Sequence, residues 1–205
     1  YTDDVNRLIG SLTLDVTPAD WLSVSYRGGV DTYGDNRFQT TRGPLGFEGE
    51  NALSSTGNVG ETRIFSRDLT STLNATARHR FGAVGAELLV GNDIFDRYSD
   101  QLFTFGSDLA IPDLFRFNNV SQLSSDFFIR QQRLVGLYSA LKLDYDETVY
   151  LELTGRNDWS STLPEAERSF FYPSASLSYV FTEQVNPGGF FDYGKVRLSV
   201  AEVGK

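Results

Sequence analysis

Residues 155–181 read GRNDWSSTLPEAERSFFYPSASLSYVF, which is two alternating segments on either side of a polar, proline-bearing middle. In the second segment, one face carries mainly large side chains and the other carries Tyr172, three serines and Val180. The residues of the larger face are Phe171, Ala175, Leu177, Tyr179 and Phe181. Alternation of this kind is typical of a β-strand. The stretch therefore predicts two strands joined by a polar connection, with aromatic side chains gathered near that connection.

The same period of two runs through the rest of the chain. In WLSVSYRGGV (21–30), for example, one face carries Leu22, Val24 and Tyr26. The other face carries Ser23, Ser25 and Arg27. No segment has a helical period over the length that a helix needs. We predict an all-β chain with eight strands, near residues 8–17, 21–38, 63–80, 84–98, 128–145, 149–160, 171–182 and 195–204.

The connections between these strands alternate in length. Residues 18–20, 82–83 and 146–148 form short turns, whereas residues 39–62, 99–127 and 161–170 form long polar segments. The last connection, 183–194, is longer than its place in the alternation predicts. Short turns at one end and long loops at the other indicate an antiparallel up-and-down barrel of the outer-membrane type.

Aromatic residues lie near both ends of the predicted strands. Beside the short turns are Trp21, Phe81, Tyr145 and Phe181, and toward the long connections are Tyr33, Phe65, Phe95, Trp159 and Phe171. The strand from Trp21 to Tyr33, tilted by about 45°, would rise roughly 28 Å. This height fits an apolar band of about 25 Å between two aromatic girdles, which is the pattern of a barrel wall in a lipid bilayer.

Composition excludes several classes of function. The chain has no cysteine and one histidine, which excludes disulfides, thiolate metal sites and most imidazole metal sites. A net charge of −9 argues against a nucleic-acid partner. The apolar runs are far shorter than the roughly 20 residues of a membrane-spanning helix. Because the chain begins at Tyr1, lacks methionine and ends while still alternating, we expect it to be part of a longer protein.

Three stretches carry a resemblance to a known family. GRNDWSSTLP (155–164) followed by RSFFYPSASLSYVFTE (168–183) resembles a barrel signature of SusC/RagA-type TonB-linked outer-membrane transporters. RLVGLYSALKLDYDETVYLELT (133–154) and GKVRLSVAEVGK (194–205) fit the same family. Across residues 1–129 the likeness rests only on the layout of strands and connections.

The resemblance implies a large, plugged barrel of about 22 strands. Residues 1–205 would be part of that one barrel domain, an arc of about eight strands in contact with outer-membrane lipid, and the plug domain and the TonB-interacting segment would lie elsewhere. Such proteins import oligosaccharides or peptides across the outer membrane of Gram-negative bacteria. The implied partners are a SusD-like surface lipoprotein and the TonB complex. The long loops would be extracellular, and neither bond chemistry nor a cofactor is expected.

Several residues suggest chemistry but have simpler structural interpretations. In the signature, Arg156 is expected to pair inside the wall, Asn157 and Asp158 to cap the turn, and Trp159 to anchor at the interface. A glycosidase would need two carboxylates, and Glu152 and Glu167 are the pair considered. A hydrolase triad would have to use His79, which is interpreted as a solvated strand end. DTYGDN (31–36) is considered as a loop Ca²⁺ site, and NPGG (186–189) is interpreted as a turn.

The long segments 39–62 and 99–127 are the expected functional regions, because loops carry function more often than walls do. Their aromatic residues, Phe47, Phe103, Phe105, Phe115 and Phe117, suit either sugar faces or a partner lid. Two alternatives from other classes remain open: a soluble β-sandwich that binds carbohydrate, and a β-rich glycoside hydrolase fragment. The sandwich predicts one shared apolar core, whereas the barrel predicts a dry face and a wet face.

Overall fold

The computed structural model describes residues 1–43, 56–183 and 193–203, most of which lie in eight β-strands. The strands are β1 (Thr2–Ala19), β2 (Leu22–Arg42), β3 (Gly57–Phe81), β4 (Val84–Leu109), β5 (Val120–Tyr145), β6 (Val149–Ser160), β7 (Ser169–Val180) and β8 (Lys195–Ala201). Single 3₁₀ turns lie at Phe117–Asn119, Glu165–Glu167 and Phe181–Glu183. In these described ranges, no helix has the length and apolarity needed to cross a membrane.

All eight strands form one sheet in the order β1-β2-β3-β4-β5-β6-β7-β8. Each strand is therefore hydrogen-bonded to its neighbours in sequence, and the β5–β6, β6–β7 and β7–β8 pairs are antiparallel. This is the up-and-down order that the alternating connections predict. The all-β prediction is confirmed.

Strand bounds agree with the sequence at one end of the sheet and differ at the other. β6 matches its predicted range, but β4 continues to Leu109 instead of residue 98, and β5 begins at Val120 instead of residue 128. The predicted loop 99–127 therefore shortens to 110–119, and the predicted loop 39–62 loses its first and last residues to β2, which ends at Arg42, and β3, which begins at Gly57. Phe47 lies outside the described residues. The reason is that both faces of these extensions carry polar residues, so the alternation disappears while the backbone ladder continues.

The short turns have the backbone geometry that tight hairpins need. Gly82 has a φ of 63°, and Asp146 and Glu147 have φ values of 48° and 53°. Two successive residues with positive φ match the twist of the flanking strands. The first turn lies at Asp20 and Trp21 and not at 18–20, because β1 runs through Ala19.

Contacts divide the chain into two compact units. The first contains Tyr1–Gly10, Val30–Asp68 and Arg97–Gln131, and the second contains Ser11–Gly29, Leu69–Asp96 and Gln132–Lys205. In the described part of the chain, the buried hydrophobic residues are Val59 and Leu109 in the first unit and Val180 in the second. A β-sandwich buries the facing sides of two sheets in one core. The single sheet with so few buried apolar residues shows that the sandwich alternative is wrong.

Candidate functional site: the polar face of the sheet

The two faces of the sheet differ sharply where strand register is known. Across β5, β6, β7 and β8, register aligns one row of four leucines: Leu143, Leu151, Leu177 and Leu198. The adjacent row lies on the opposite face and contains Asp144, Tyr150, Ser178 and Arg197. We call the leucine side the apolar face and the other side the polar face. Because side chains alternate along each strand, the sequence period alone produces this separation.

The apolar face is open to its surroundings. Leu177 is 47% exposed and Leu198 is 71% exposed. Leu153, Leu137 and Val200 on the same face are also exposed. Contiguous exposed apolar surface marks contact with a partner or a membrane. The face therefore needs an apolar environment that residues 1–43, 56–183 and 193–203 do not supply.

On the polar face of the second unit, charged side chains pair across strands. Glu87 of β4 accepts hydrogen bonds from Arg78 of β3 and from Lys142 of β5, with 3.1 Å between Lys142 Nζ and Glu87 Oε1. Arg80 Nη2 lies 2.9 Å from Asp144 Oδ2. These pairs neutralise charges along the wall and tie three strands together through side chains.

Arg156 is the centre of a second cluster on this face. Its Nε lies 2.8 Å from Asp158 Oδ1, its Nη1 lies 3.1 Å from Asp93 Oδ2, and its guanidinium carbon lies 5.2 Å from the centre of the Tyr138 ring. The predicted pairing of Arg156 inside the wall is confirmed. The predicted capping by Asn157 and Asp158 is wrong, because β6 continues to Ser160 and both residues lie within its ladder with β7.

Tyr138 crosses to β3, where its hydroxyl donates to Asn74 Oδ1 at 2.7 Å. Gly91 lies beneath this contact, and a Cβ atom there would overlap both the Tyr138 ring and Asn74. We expect Gly91→Ala to destabilise the barrel by about 1–3 kcal/mol through overpacking. Gly10→Ala is the matched control, because its Cβ would lie 3.5 Å from Val30 Cγ1, an ordinary contact. Urea unfolding of both variants measures the difference, and equal midpoints would contradict the expectation.

A depression of about 670 Å³ opens on the polar face near the short turns. Its floor contains Ser176 and Ser178 of β7, whose small side chains leave space between longer neighbours. Lys195 Nζ lies 5.0 Å from the centre of the Tyr150 ring, and Arg197 Nε donates to Ser178 Oγ at 3.2 Å. The depression thus offers cations, hydroxyls and an aromatic face to the space beside the wall.

The first unit has the same kind of cross-strand ion pair. Arg7 binds Asp31 through two hydrogen bonds of 3.0 and 2.6 Å, and Arg97 binds Asp68 through two of 2.9 and 2.6 Å. Bidentate arginine–carboxylate contacts orient both side chains as well as neutralising their charges. Both pairs join neighbouring strands, β1 with β2 and β3 with β4, so they help to fix the register between them.

Asp35 lies two residues beyond Tyr33 and its side chain is buried. Arg37 donates to it from Nε and Nη2, and the Tyr33 hydroxyl donates at 2.8 Å. The Arg37 guanidinium, chiefly, lowers the pKa of Asp35, although burial opposes this. Ionised Asp35 therefore stabilises the fold at pH values above the ordinary carboxyl pKa. This stabilisation is lost as pH falls through the lowered pKa of Asp35.

The other candidates from the sequence do not form a chemical site. Glu152 lies in β6 opposite Ser176, whereas Glu167 is exposed in the 3₁₀ turn at Glu165–Glu167. His79 is an exposed residue near the end of β3, with its ring 4.3 Å from that of Phe81. The segment 31–36, considered as a Ca²⁺ loop, is part of β2, and its residues Asp31 and Asp35 are paired with arginines, so it is not a loop site.

The remaining candidates concern metals and loops. Across residues 1–43, 56–183 and 193–203, no group of three His, Cys, Asp or Glu side chains could hold a metal ion. NPGG (186–189) lies outside the described residues. Phe103 and Phe105, predicted in a loop, lie in β4 with their rings nearly parallel and 6.4 Å apart. Only Phe115 and Phe117 remain near the connection between β4 and β5.

Sequence reasoning also missed a residue that organises this connection. The buried Asn119 accepts a hydrogen bond from Ile111 N at 3.0 Å and donates to the carbonyls of Ile111 and Leu114, both at 2.8 Å. Asparagine side chains often replace backbone partners in this way. The sequence signal, an asparagine just before a strand, is common, so it could not single out Asn119.

Comparison with known proteins identifies the fold. A sequence model described as "TonB dependent receptor-like, beta-barrel" matches residues 1–202. The chain belongs to this family. TonB-dependent receptor P26 of Formosa agariphila is 25% identical over 191 residues, which cover 87% of this chain and 18% of that protein.

Solved barrels of the same kind superpose closely. The RagAB peptide transporter has a TM-score of 0.79 at 14% identity, over 96% of this chain and 22% of that one. The RagAB peptide importer in its "open-open" state gives 0.79 at 14%, over 97% and 22%. The chain thus spans about a fifth of the length of these proteins. Identity at this level shows the fold alone.

Membership of this family indicates what each face of the sheet contacts. TonB-dependent receptor barrels lie in the outer membrane, where an apolar face contacts lipid and a polar face lines the lumen. The predicted fold class, antiparallel strands forming part of a large outer-membrane barrel, is confirmed by the strand order and the family match. The ion pairs around Glu87 and Arg156 lie on the polar face, the face that lines the lumen in barrels of this family.

Proposed function

We propose that the chain is part of the wall of a TonB-dependent outer-membrane transporter that imports peptides or oligosaccharides. The proposal rests on the contrast between the two faces of the sheet. One face carries an exposed row of leucines, and the other carries paired charges and a hydroxyl-lined depression. Such a wall makes and breaks no bond in its cargo. Its role is to enclose a water-filled lumen within the lipid bilayer.

The proposal extends to parts of the protein beyond residues 1–205. A plug domain would close the lumen, a TonB-interacting segment would supply energy from the inner membrane, and a SusD-like surface lipoprotein would cover the outer opening. The family match supports these partners, and the peptide-transporting structural neighbours favour peptides as cargo. The serine hydroxyls and the Tyr150 ring of the depression suit oligosaccharides equally well.

Uptake by whole cells tests the function and decides between the two cargo classes. Cells with and without the protein would be given labelled peptides and labelled oligosaccharides of a size that porins exclude. We expect the deletion to abolish uptake of one class, and a protonophore to abolish the same uptake in wild-type cells. Unchanged uptake of both classes, with the protein recovered in a soluble fraction, would contradict the proposal.

Orientation gives a separate prediction. We expect an epitope inserted after Pro112, in the connection 110–119, to bind antibody on intact cells, because long connections of such barrels are extracellular. The control is the same epitope between Gly82 and Ala83, in the short turn at the opposite end of β4. It should bind antibody only after the cells are opened. The reverse pattern would show that the wall is inserted the other way.

A further inference from the structure

One interior strand of the sheet has an uncovered edge. The register between β5 and β6 begins at the pair of Leu134 and Ser160, so residues 121–131 of β5 extend past the end of β6. Their other side is paired with β4, as the contacts of Ser125 with Thr104 and of Ser124 with the Phe105 carbonyl indicate. We call residues 121–131 the open edge.

The open edge is exposed throughout. All of residues 121–131 are exposed, including Leu123, Phe127, Phe128 and Ile129, which are 58–63% exposed. Phe127 and Phe128 are adjacent in a strand, so they project to opposite faces. The apolar side chains therefore lie on both sides of a row of backbone groups that can pair with another strand.

Closure of the barrel does not cover this edge. The terminal strands β1 and β8 are also exposed, but further wall strands would pair with them. β5 already has its two wall neighbours, β4 and β6, and β6 ends too early to cover residues 121–131. The connection that follows β6 reaches only Arg133, whose carbonyl accepts from Ser161 N at 2.9 Å.

Lipid does not suit the open edge either. Val135 of β5 pairs with Trp159, which lies at the predicted outer aromatic girdle. The open edge lies between four and fourteen residues from Val135, on the side away from the short turns. This is about 13–46 Å along the strand at 3.3 Å per residue. Its two charges, Asp126 and Arg130, stand directly on either side of the apolar run 127–129, which lipid would have to desolvate. Lipid could in any case cover only one of the two faces.

We propose that the open edge is the docking site of an extended segment of the surface lipoprotein partner, which adds a strand to β5. Backbone edges recognise extended polypeptide, and apolar side chains on alternate faces add affinity and specificity. A sugar chain offers no matching ladder of donors and acceptors. Exposed apolar edges lead to aggregation unless they are covered, so a lasting partner fits better than passing cargo. This inference rests on the proposed function and locates its partner.

Amide hydrogen exchange of the full protein, purified with and without its lipoprotein, tests the docking site. We expect exchange in residues 121–131 to slow at least about tenfold in the complex, because strand addition occupies the free amides. Residues 195–201 of β8 are the internal control and should not change. If the lipoprotein copurifies but exchange in residues 121–131 is unaltered, the docking site is wrong while the proposed function stands. If none copurifies, the proposed partnership itself fails.

Two variants and a cross-linker separate pairing from chance contact. F127S/F128S should weaken copurification of the lipoprotein about tenfold or more, as expected for buried aromatic anchors. L163S, which alters an exposed residue in the connection after β6, is the control and should not. A photo-reactive phenylalanine at Phe128 should form an adduct with the mass of both proteins, whereas one at Phe171 on the apolar face should not. A cross-link from Phe128 to the barrel's own chain would overturn the proposal.

Discussion

Leu177→Arg is expected to lower the stability of the folded barrel in a bilayer by about 2–4 kcal/mol, the cost of a cation near the middle of the lipid-facing surface. Leu177 is exposed on the apolar face between Leu151 and Leu198. It lies roughly midway between the aromatic residues Phe171 and Phe181. A guanidinium there would lose its water without gaining a partner.

Ser176→Arg is the matched control, because it places the same side chain one position away on the polar face. Register sets Ser176 opposite Glu152, so the new cation would meet a carboxylate in an aqueous space. We expect its effect on stability to stay within about 1 kcal/mol. Urea titration of the full barrel refolded into liposomes measures both variants. Equal losses, or a larger loss for Ser176→Arg, would mean that the faces are assigned the wrong way round.

Asn119→Ala is expected to destabilise the connection between β4 and β5 by about 2–4 kcal/mol, because it removes three hydrogen bonds at a buried position. The Ile111 amide and the carbonyls of Ile111 and Leu114 would lose their side-chain partner. The buried Leu109 lies just before this connection, at the end of β4. The effect should therefore be local opening with the remaining strands intact.

Asn118→Ala is the control, since Asn118 is the same residue type one position earlier and is exposed. Limited proteolysis of the membrane-embedded protein reports the difference. We expect rapid trypsin cleavage after Arg116 in Asn119→Ala, and slow cleavage in Asn118→Ala and wild type. Equal cleavage of the two variants would show that the Asn119 contacts do not hold the connection.

The sequence predicted well wherever a bilayer imposes a pattern. β6 agrees with its predicted range because Leu151 and Leu153 alternate with polar residues along it. Beyond the apolar band that constraint disappears, since both faces of a strand can be polar. The extensions of β4 to Leu109 and of β5 from Val120 carry no alternation, so they resembled loops.

The polar site was only partly predictable, for a different physical reason. The pairing of Arg156 inside the wall followed from its place on the inward side of a strand. Its particular partner Asp93 depends on the register between distant segments, as does the contact of Tyr138 with Asn74. The open edge depends on where β6 stops relative to β5, and an alternation pattern does not contain that information.

The most direct test of the wall uses introduced cysteines, because residues 1–205 contain none. Single cysteines at Leu151, Glu152, Leu153 and Thr154 would be labelled with a fluorophore in the full protein, in liposomes, and quenched from water or from lipid. We predict that labels at 151 and 153 are quenched only from lipid, and labels at 152 and 154 only from water. Equal quenching from water at all four positions would contradict the account of this chain as a membrane wall with one dry and one wet face.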